Sequence, residues 1–398
     1  MIPEIKPYLH FKEFKTQFQK INNPIEQFEA SFSEFSGFPY ALYFSWARSG
    51  LAHLLSAMGL KNQKIITPAY TCEVVPQGIA WSGNRPYFID NTANNINMDN
   101  DLLLKHSGSD TPVAILTSLF GRKHNPDIIV QKLKDKGILV IKDVSLAFGV
   151  KHNGIPVSNY ADVAMYSTNA GKPVSSYGGG FLTFKDMALY EKVKAHRNNN
   201  AFPPKFKSIF LRQLSFNLQY IAFQKWIYGM VVYLKDNTKI IDIFVKQNEE
   251  DLSIPKQHYE IPAKFQAKIG LVQLKRFEKM DYNRKALANF YEKEINKSEI
   301  INTVPFNEDD SLSHFHIRVK KGKREIFKKH LLKNSIYFGI HFDYSNPDLL
   351  MFKDYKSPDA PNSRVWAEEM VTIPFYPGLS KSNAHRVVEV INKFKIIE

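Results

Sequence analysis

The sequence predicts an α/β fold: three layers, α/β/α, around a mainly parallel sheet, with a smaller α/β unit at the C-terminal end. Three observations carry this expectation. Short apolar runs alternate with amphipathic runs from Tyr40 to Asp143, as parallel strands joined by crossover helices do. Several runs close on polar residues, at Ser49, Asp90, Asp143 and Ser167, and ligands in such sheets sit at the carboxyl ends of the strands. From about Ser311 the pattern becomes strand, helix, strand, short strand and a final amphipathic helix.

Taken in order, 24–35 reads as a helix, with Ile25, Phe28, Phe32 and Phe35 near helical spacing and Gly37 as its stop. Tyr40 to Trp46 is a strand. Arg48-Ser49-Gly50 is a turn, and Leu51, Leu54, Leu55 and Met58 form one face of the next helix, with Ser49 as its N-cap. Strands follow at 64–67, 86–89, 113–120 and 138–141, and helices at 73–81 and 126–136. Residues 195–251 leave the pattern. Within them, 209–234 is dense in Phe, Leu, Ile, Tyr and Trp, holds only Arg212 and Lys225 as charges, and is flanked by Lys205, Lys207 and Lys235. It reads as a buried helix or a subunit contact, with peripheral membrane contact through 205–235 as the alternative. Helices at 261–277 and 282–294 lead to strands at 314–319, 336–340 and 371–374 and helices at 323–333 and 384–394. The expected division is an N-terminal helical segment (1–36), a large domain (37–255) with the apolar insertion at about 200–250, and a connecting helix with a small C-terminal domain (256–398).

Composition narrows the partners. The chain has 398 residues, 44% hydrophobic and 23% charged, in the range of soluble globular proteins. Fifty-three Lys and Arg against 39 Asp and Glu leave a net charge of +14, which suits an anionic partner such as a nucleotide-activated substrate. No dense basic arm or RNA motif is present, which disfavours nucleic acid. Cys72 is the only cysteine, so no intramolecular disulfide forms. That, the charged first 20 residues and the lack of an 18-residue apolar run lead us to expect a cytoplasmic protein.

Three places carry chemistry. The stretch 162–172 passes from an apolar strand to Ser167, then to Lys172, and on into the small-residue run 175–180. A lysine stripped of water there has a lowered pKa and forms an imine with an aldehyde; most lysines in such loops are simply solvated. Asp143, at the end of an apolar strand, must pair with something: a cationic ring nitrogen, a helix N-terminus or a structural salt bridge. The turn at Ser49 either gathers free backbone N–H groups for an anion or only joins strand to helix.

Six segments in order then resemble one family. Arg48-Ser49-Gly50-Leu51-Ala52 resembles a Ser-Gly-Thr-Ala phosphate turn, Thr67-Pro68-Ala69-Tyr70-Thr71 a Pro-Ser-Phe-Thr loop, and Val140-Ile141-Lys142-Asp143 a Val-Ile-Glu-Asp strand. Tyr166-Ser167 with Lys172, Phe265-Gln266-Ala267-Lys268-Ile269-Gly270-Leu271, and Ile373-Pro374-Phe375-Tyr376-Pro377-Gly378-Leu379-Ser380 match three further motifs. Together they resemble the DegT/DnrJ/EryC1/StrS sugar aminotransferases, within fold type I of the pyridoxal 5'-phosphate (PLP) enzymes. The resemblance implies that Lys172 carries the cofactor and moves the substrate proton. It implies that Asp143 pairs with the ring nitrogen, and that Ser49, the backbone of Gly50 and Leu51, and Ser167 hold the phosphate. It also implies a homodimer and amino transfer, from glutamate, to a keto group of a nucleotide-linked sugar.

The chain departs from the family pattern in several places. Leu51 replaces a threonine of the phosphate turn. Cys72 stands where the family stacks an aromatic residue on the ring, with Tyr70 beside it as a substitute. Leu146 and Phe148 replace Gln and His, Tyr177-Gly178-Gly179-Gly180 replaces Gly-Glu-Gly-Gly, and 257–262 lacks the family's Asn-Tyr-Arg. These changes leave open PLP chemistry of another type on a non-sugar or lipid-like substrate, or a non-catalytic binding protein.

Overall fold

A computed structural model describes residues 1–124, 127–222, 227 and 251–395. Its strands are β1 (Tyr40–Phe44), β2 (Lys64–Pro68), β3 (Arg85–Ile89), β4 (Val113–Thr117), β5 (Leu139–Asp143), the hairpin β6 (Lys151–His152) and β7 (Ile155–Pro156), β8 (Val163–Ser167), β9 (Gly180–Phe184), β10 (Ile301–Thr303), β11 (Phe315–Val319) and β12 (Met370–Ile373). Seven of them form one sheet in the order β1-β9-β8-β5-β4-β2-β3. The pairs β3–β2, β2–β4, β4–β5 and β5–β8 are parallel, and β9 runs antiparallel to both β8 and β1.

Successive residues on a strand face opposite ways, and the core divides accordingly. Ile65, Ile115 and Ile141 join Leu51, Leu54 and Leu55 of the helix Ala47–Ala57 on one face. Ile66, Leu116 and Val140 join Ile129, Val130 and Leu133 of the helix Asp127–Asp135 on the other. Burial on both faces explains why these strands read as continuous apolar runs. A second, antiparallel sheet, β10-β11-β12, has its own core in Ile317, Val371, Phe327 and Val387.

Four sequence expectations change. The helix expected to open after a turn at Arg48-Ser49-Gly50 begins at Ala47, with Trp46 as an N-cap that makes no side-chain bond. Lys142 and Asp143 belong to β5 rather than following it. Residues 336–340 form no ladder; they are held by single bridges, Ile2 to Ile336 and Gly339 to Thr372. The expected helix at 126–136 is described from Asp127 to Asp135, and Pro126 lies outside the described residues.

Strand β9 was hidden in the glycine run. Gly179 has φ +100°, and a Cβ there would meet the Tyr43 ring at 2.4 Å. A Cβ on Gly180 would stand 2.5 Å from the backbone of Ala47, so bare backbone lets β9 press against the helix start. Gly180→Ala is therefore expected to cost about 1–3 kcal/mol by overpacking, read as a lower urea midpoint at unchanged m-value. An unchanged midpoint would mean that the helix start yields freely.

The described part of the apolar segment is the helix Phe206–Ala222. Phe216 packs edge-on against Tyr177 at 4.5 Å, while Phe206, Phe210, Leu214 and Leu218 are exposed. The remainder of that segment, apart from residue 227, lies outside the described residues up to 250. Among the described residues no helix is long and apolar enough to cross a membrane.

Candidate active site

The carboxyl ends of β4, β5 and β8 and the start of the helix Ala47–Ala57 open onto one cavity of about 230 Å³. Asp143, Ser167, Lys172 and Cys72 all line it, so strand topology assembles residues up to 100 positions apart.

Asp143 is the last residue of β5 and is buried, with Oδ1 accepting a hydrogen bond from the Ser145 backbone N–H at 3.0 Å. Burial raises its pKa; the Ser145 hydrogen bonds and the charges of Lys172 and Lys142 oppose the rise. Lys142 points to the opposite face, where its ammonium reaches the His124 carbonyl at 3.4 Å and burial pulls its pKa down to about 7.

Lys172 is half-buried in the loop 168–179 that closes the β8–β9 hairpin. Side-chain and backbone bonds pin that loop at its neck. The Thr168 N–H donates to Gly179 O (3.0 Å), the Ser176 N–H donates to Thr168 O (2.8 Å), and the Ser176 hydroxyl donates to Thr168 Oγ1 (2.7 Å). The Tyr43 hydroxyl lies 2.8 Å from Ser176 Oγ and 3.0 Å from Gly178 O. The loop is thus anchored to β1, and its tip faces the cavity.

The structure corrects the phosphate turn. The Ser49 hydroxyl is fully buried and lies 2.9 Å from His258 Nδ1. The Gly50 N–H donates to Trp46 O at 3.1 Å, the first intrahelical bond, and Leu51 lies in the core beneath the sheet. None of the three side chains lines the cavity. The reason is the earlier helix start: the helical N–H groups that precede the first intrahelical bond belong to Ala47, Arg48 and Ser49, so of the three expected residues only Ser49 has its N–H outside the intrahelical ladder. Tyr70 is also outside the cavity. It is fully buried, and its hydroxyl donates to Phe342 O at 3.3 Å. Cys72 lines the wall, half-buried, with Sγ 3.6 Å from Glu73 Oε2.

Sequence reasoning missed three contributors. Trp46 and Arg48 flank the helix start, the Arg48 guanidinium sitting 4.7 Å from the Trp46 ring centre and 4.9 Å from that of Trp81 and bonding Gln77 Oε1 at 2.7 Å. Thr117 ends β4 opposite Asp143, and its Oγ1 is buried in the cavity wall without a partner. The sequence pattern carries this strand on to residue 120, so nothing in it marks Thr117 as a strand end.

The site fits PLP in its donor set. A lysine, a buried carboxylate, a serine and the start of a helix line one cavity, and the orphaned Thr117 hydroxyl leaves hydrogen-bonding capacity for a polar ligand.

His258 gives this region a pH dependence. Burial first, then the charge of Arg48, brings its pKa to about 4, and burial brings that of the stacked His53 to about 3. An unfolded imidazole titrates near 6.5. Between the two values the unfolded chain binds more protons, so stability falls as pH drops from about 6.5 towards 4. His258 alone contributes on the order of 3 kcal/mol to that loss. Urea midpoints measured across the window check this, and a His258→Asn variant should show a shallower fall.

The fold and the site together are those of a fold type I PLP-dependent transferase. The sequence profile of the DegT/DnrJ/EryC1/StrS aminotransferase family matches residues 12–224 and 262–392. The chain belongs to that family: it is a PLP-dependent aminotransferase, with pyridoxal 5'-phosphate as its cofactor. The spore coat polysaccharide biosynthesis protein SpsC of Bacillus subtilis is 23% identical over 92% of this chain and 88% of its own length. The dTDP-3-amino-3,6-dideoxy-alpha-D-galactopyranose transaminase of Aneurinibacillus thermoaerophilus is 22% identical over 98% and 99%. Helicobacter pylori PseC, an aminotransferase involved in the biosynthesis of pseudoaminic acid, shares the fold with a TM-score of 0.77 at 18% identity, over 99% of this chain and all of its own.

Proposed function

We propose that the chain transfers an amino group, from glutamate, to a keto group of a nucleotide-linked sugar, as a cytoplasmic homodimer serving polysaccharide biosynthesis. One observation carries the reading: Lys172 and Asp143 line the same strand-end cavity as Ala47 and Arg48 at the start of the helix Ala47–Ala57. Of the relatives named above, one is a transaminase named for a dTDP-linked amino sugar and another is a polysaccharide biosynthesis protein, and the net charge of +14 suits a diphosphate-bearing substrate.

In this reading each residue has a defined role. The N–H groups of Ala47, Arg48 and Ser49, with the Ser167 hydroxyl, bind the phosphate at the positive end of the helix. The Asp143 carboxylate keeps a proton on the ring nitrogen, and that charge offsets the cost of burying the carboxylate. The bound cofactor supplies an electron sink for the reacting carbon. Lys172 Nζ holds the cofactor at rest and, when freed, moves the proton at the substrate carbon.

Borohydride treatment of the purified, cofactor-loaded protein tests the site. A peptide map should show the cofactor fixed on Lys172; an unmodified Lys172 would sink the assignment. A screen of amino donors and nucleotide-linked keto sugars, followed by product mass, tests the reaction. Conversion of the cofactor by glutamate without any aminated sugar would leave amino transfer standing and remove the sugar.

A further inference from the structure

Behind Lys172, three histidines meet where the N-terminal segment crosses the second sheet. His314 immediately precedes β11, His316 lies within it, and His341 follows the bridge at Gly339. The rings of His314 and His341 are 3.9 Å apart centre to centre, and His316 lies about 6 Å from both. The Glu4 carboxylate enters the same space, 3.8 Å from His341 Nδ1.

We propose that Glu4, His314 and His341 form a binding site for one divalent transition-metal ion of the zinc class. One ligand atom from each lies within 4.8 Å of the others, the only such grouping among the described residues. Two imidazoles and a carboxylate are a donor set that suits zinc, at distances near 2.0–2.2 Å that small side-chain shifts would reach.

One further observation points to a ligand, and two describe the space around it. His314 Nδ1 is 2.9 Å from Ser313 Oγ, while its Nε2 is buried with no partner. In the tautomer in which Nδ1 donates to this hydroxyl, the lone pair lies on Nε2, where a metal would bind. Both nitrogens of His316 are also buried and unpartnered, an arrangement that is costly without a ligand or water. Finally, a Cβ on Gly339 would stand 2.2 Å from Glu4 Oε1, so this glycine makes room for the carboxylate.

The ion would fasten the chain's first residues to the second sheet. Glu4 O already accepts from the Phe375 N–H at 2.9 Å, and Ile2 bridges to Ile336. Lys172, Arg122 and Arg284 add positive charge around the imidazoles, which weakens cation binding. We therefore expect a dissociation constant of about 1 µM rather than the far tighter values of all-thiolate sites.

The test uses the full, cofactor-loaded chain, stripped with chelator and titrated calorimetrically with zinc chloride. The expected result is one ion per chain, with Glu4→Gln, His314→Asn and His341→Asn each weakening binding by about tenfold or more. Because a buried substitution at His314 can impair folding, cobalt(II) is added separately to the unsubstituted protein, where visible d–d bands of a low-coordinate site are expected. No zinc uptake, uptake unaltered in the half-buried His341→Asn variant, or the absence of d–d bands each overturns the proposal.

Discussion

Replacing Lys172 with alanine is expected to lower the rate of amino transfer by about 10⁴-fold or more, because one side chain both holds the cofactor and moves the proton. The fold should survive. Lys172 is half-buried at a loop tip, and the bonds that pin the loop belong to Thr168, Ser176 and Tyr43. The urea midpoint should therefore shift by no more than about 0.5 kcal/mol, while the cofactor's visible absorption changes and borohydride no longer fixes it. A variant that keeps more than about a tenth of the rate would move the role to another group. Lys142 does not line the cavity, and its ammonium reaches the His124 carbonyl on the opposite face of the sheet.

Asp143→Asn should have the second-largest effect. The amide keeps the shape and can still accept from the Ser145 N–H through its oxygen. It loses the negative charge, and with it the ring-nitrogen proton that makes the cofactor an electron sink. A loss of about 10²–10³-fold in kcat is expected, comparable to removing one preorganised electrostatic partner. Cofactor content should stay near stoichiometric, because the phosphate contacts are untouched. An unchanged kcat in a fully loaded variant would remove Asp143 from the chemistry.

The parallel strands were legible because burial on both faces leaves a continuous apolar run, and Asp143 and Lys172 stood out as charges at the ends of such runs. The phosphate turn was misread by three residues. A serine followed by glycine looks like an N-cap, yet Trp46 takes that position without a side-chain bond, and His258 engages the Ser49 hydroxyl from 209 residues away. No local rule reports so distant a partner. Strand β9 was concealed for a similar reason: glycines at 178–180 usually mark a loop, and here they admit Tyr43 and Ala47 at close range. Tyr70 was taken for a ring-stacking residue because of its place near Cys72, but its hydroxyl is drawn away to Phe342 O.

The β8–β9 hairpin has a consequence for how the two halves of the site come together during folding. Lys172 is positioned by closing one short loop between sequence neighbours, an inexpensive local event. Asp143 acquires its setting only when parallel strands meet through crossovers, a slower and less local step. A ligand gripped by both therefore couples an early-forming element to a late-forming one. Its binding free energy is added to the native state and not to partly folded forms, so cofactor saturation should slow global unfolding.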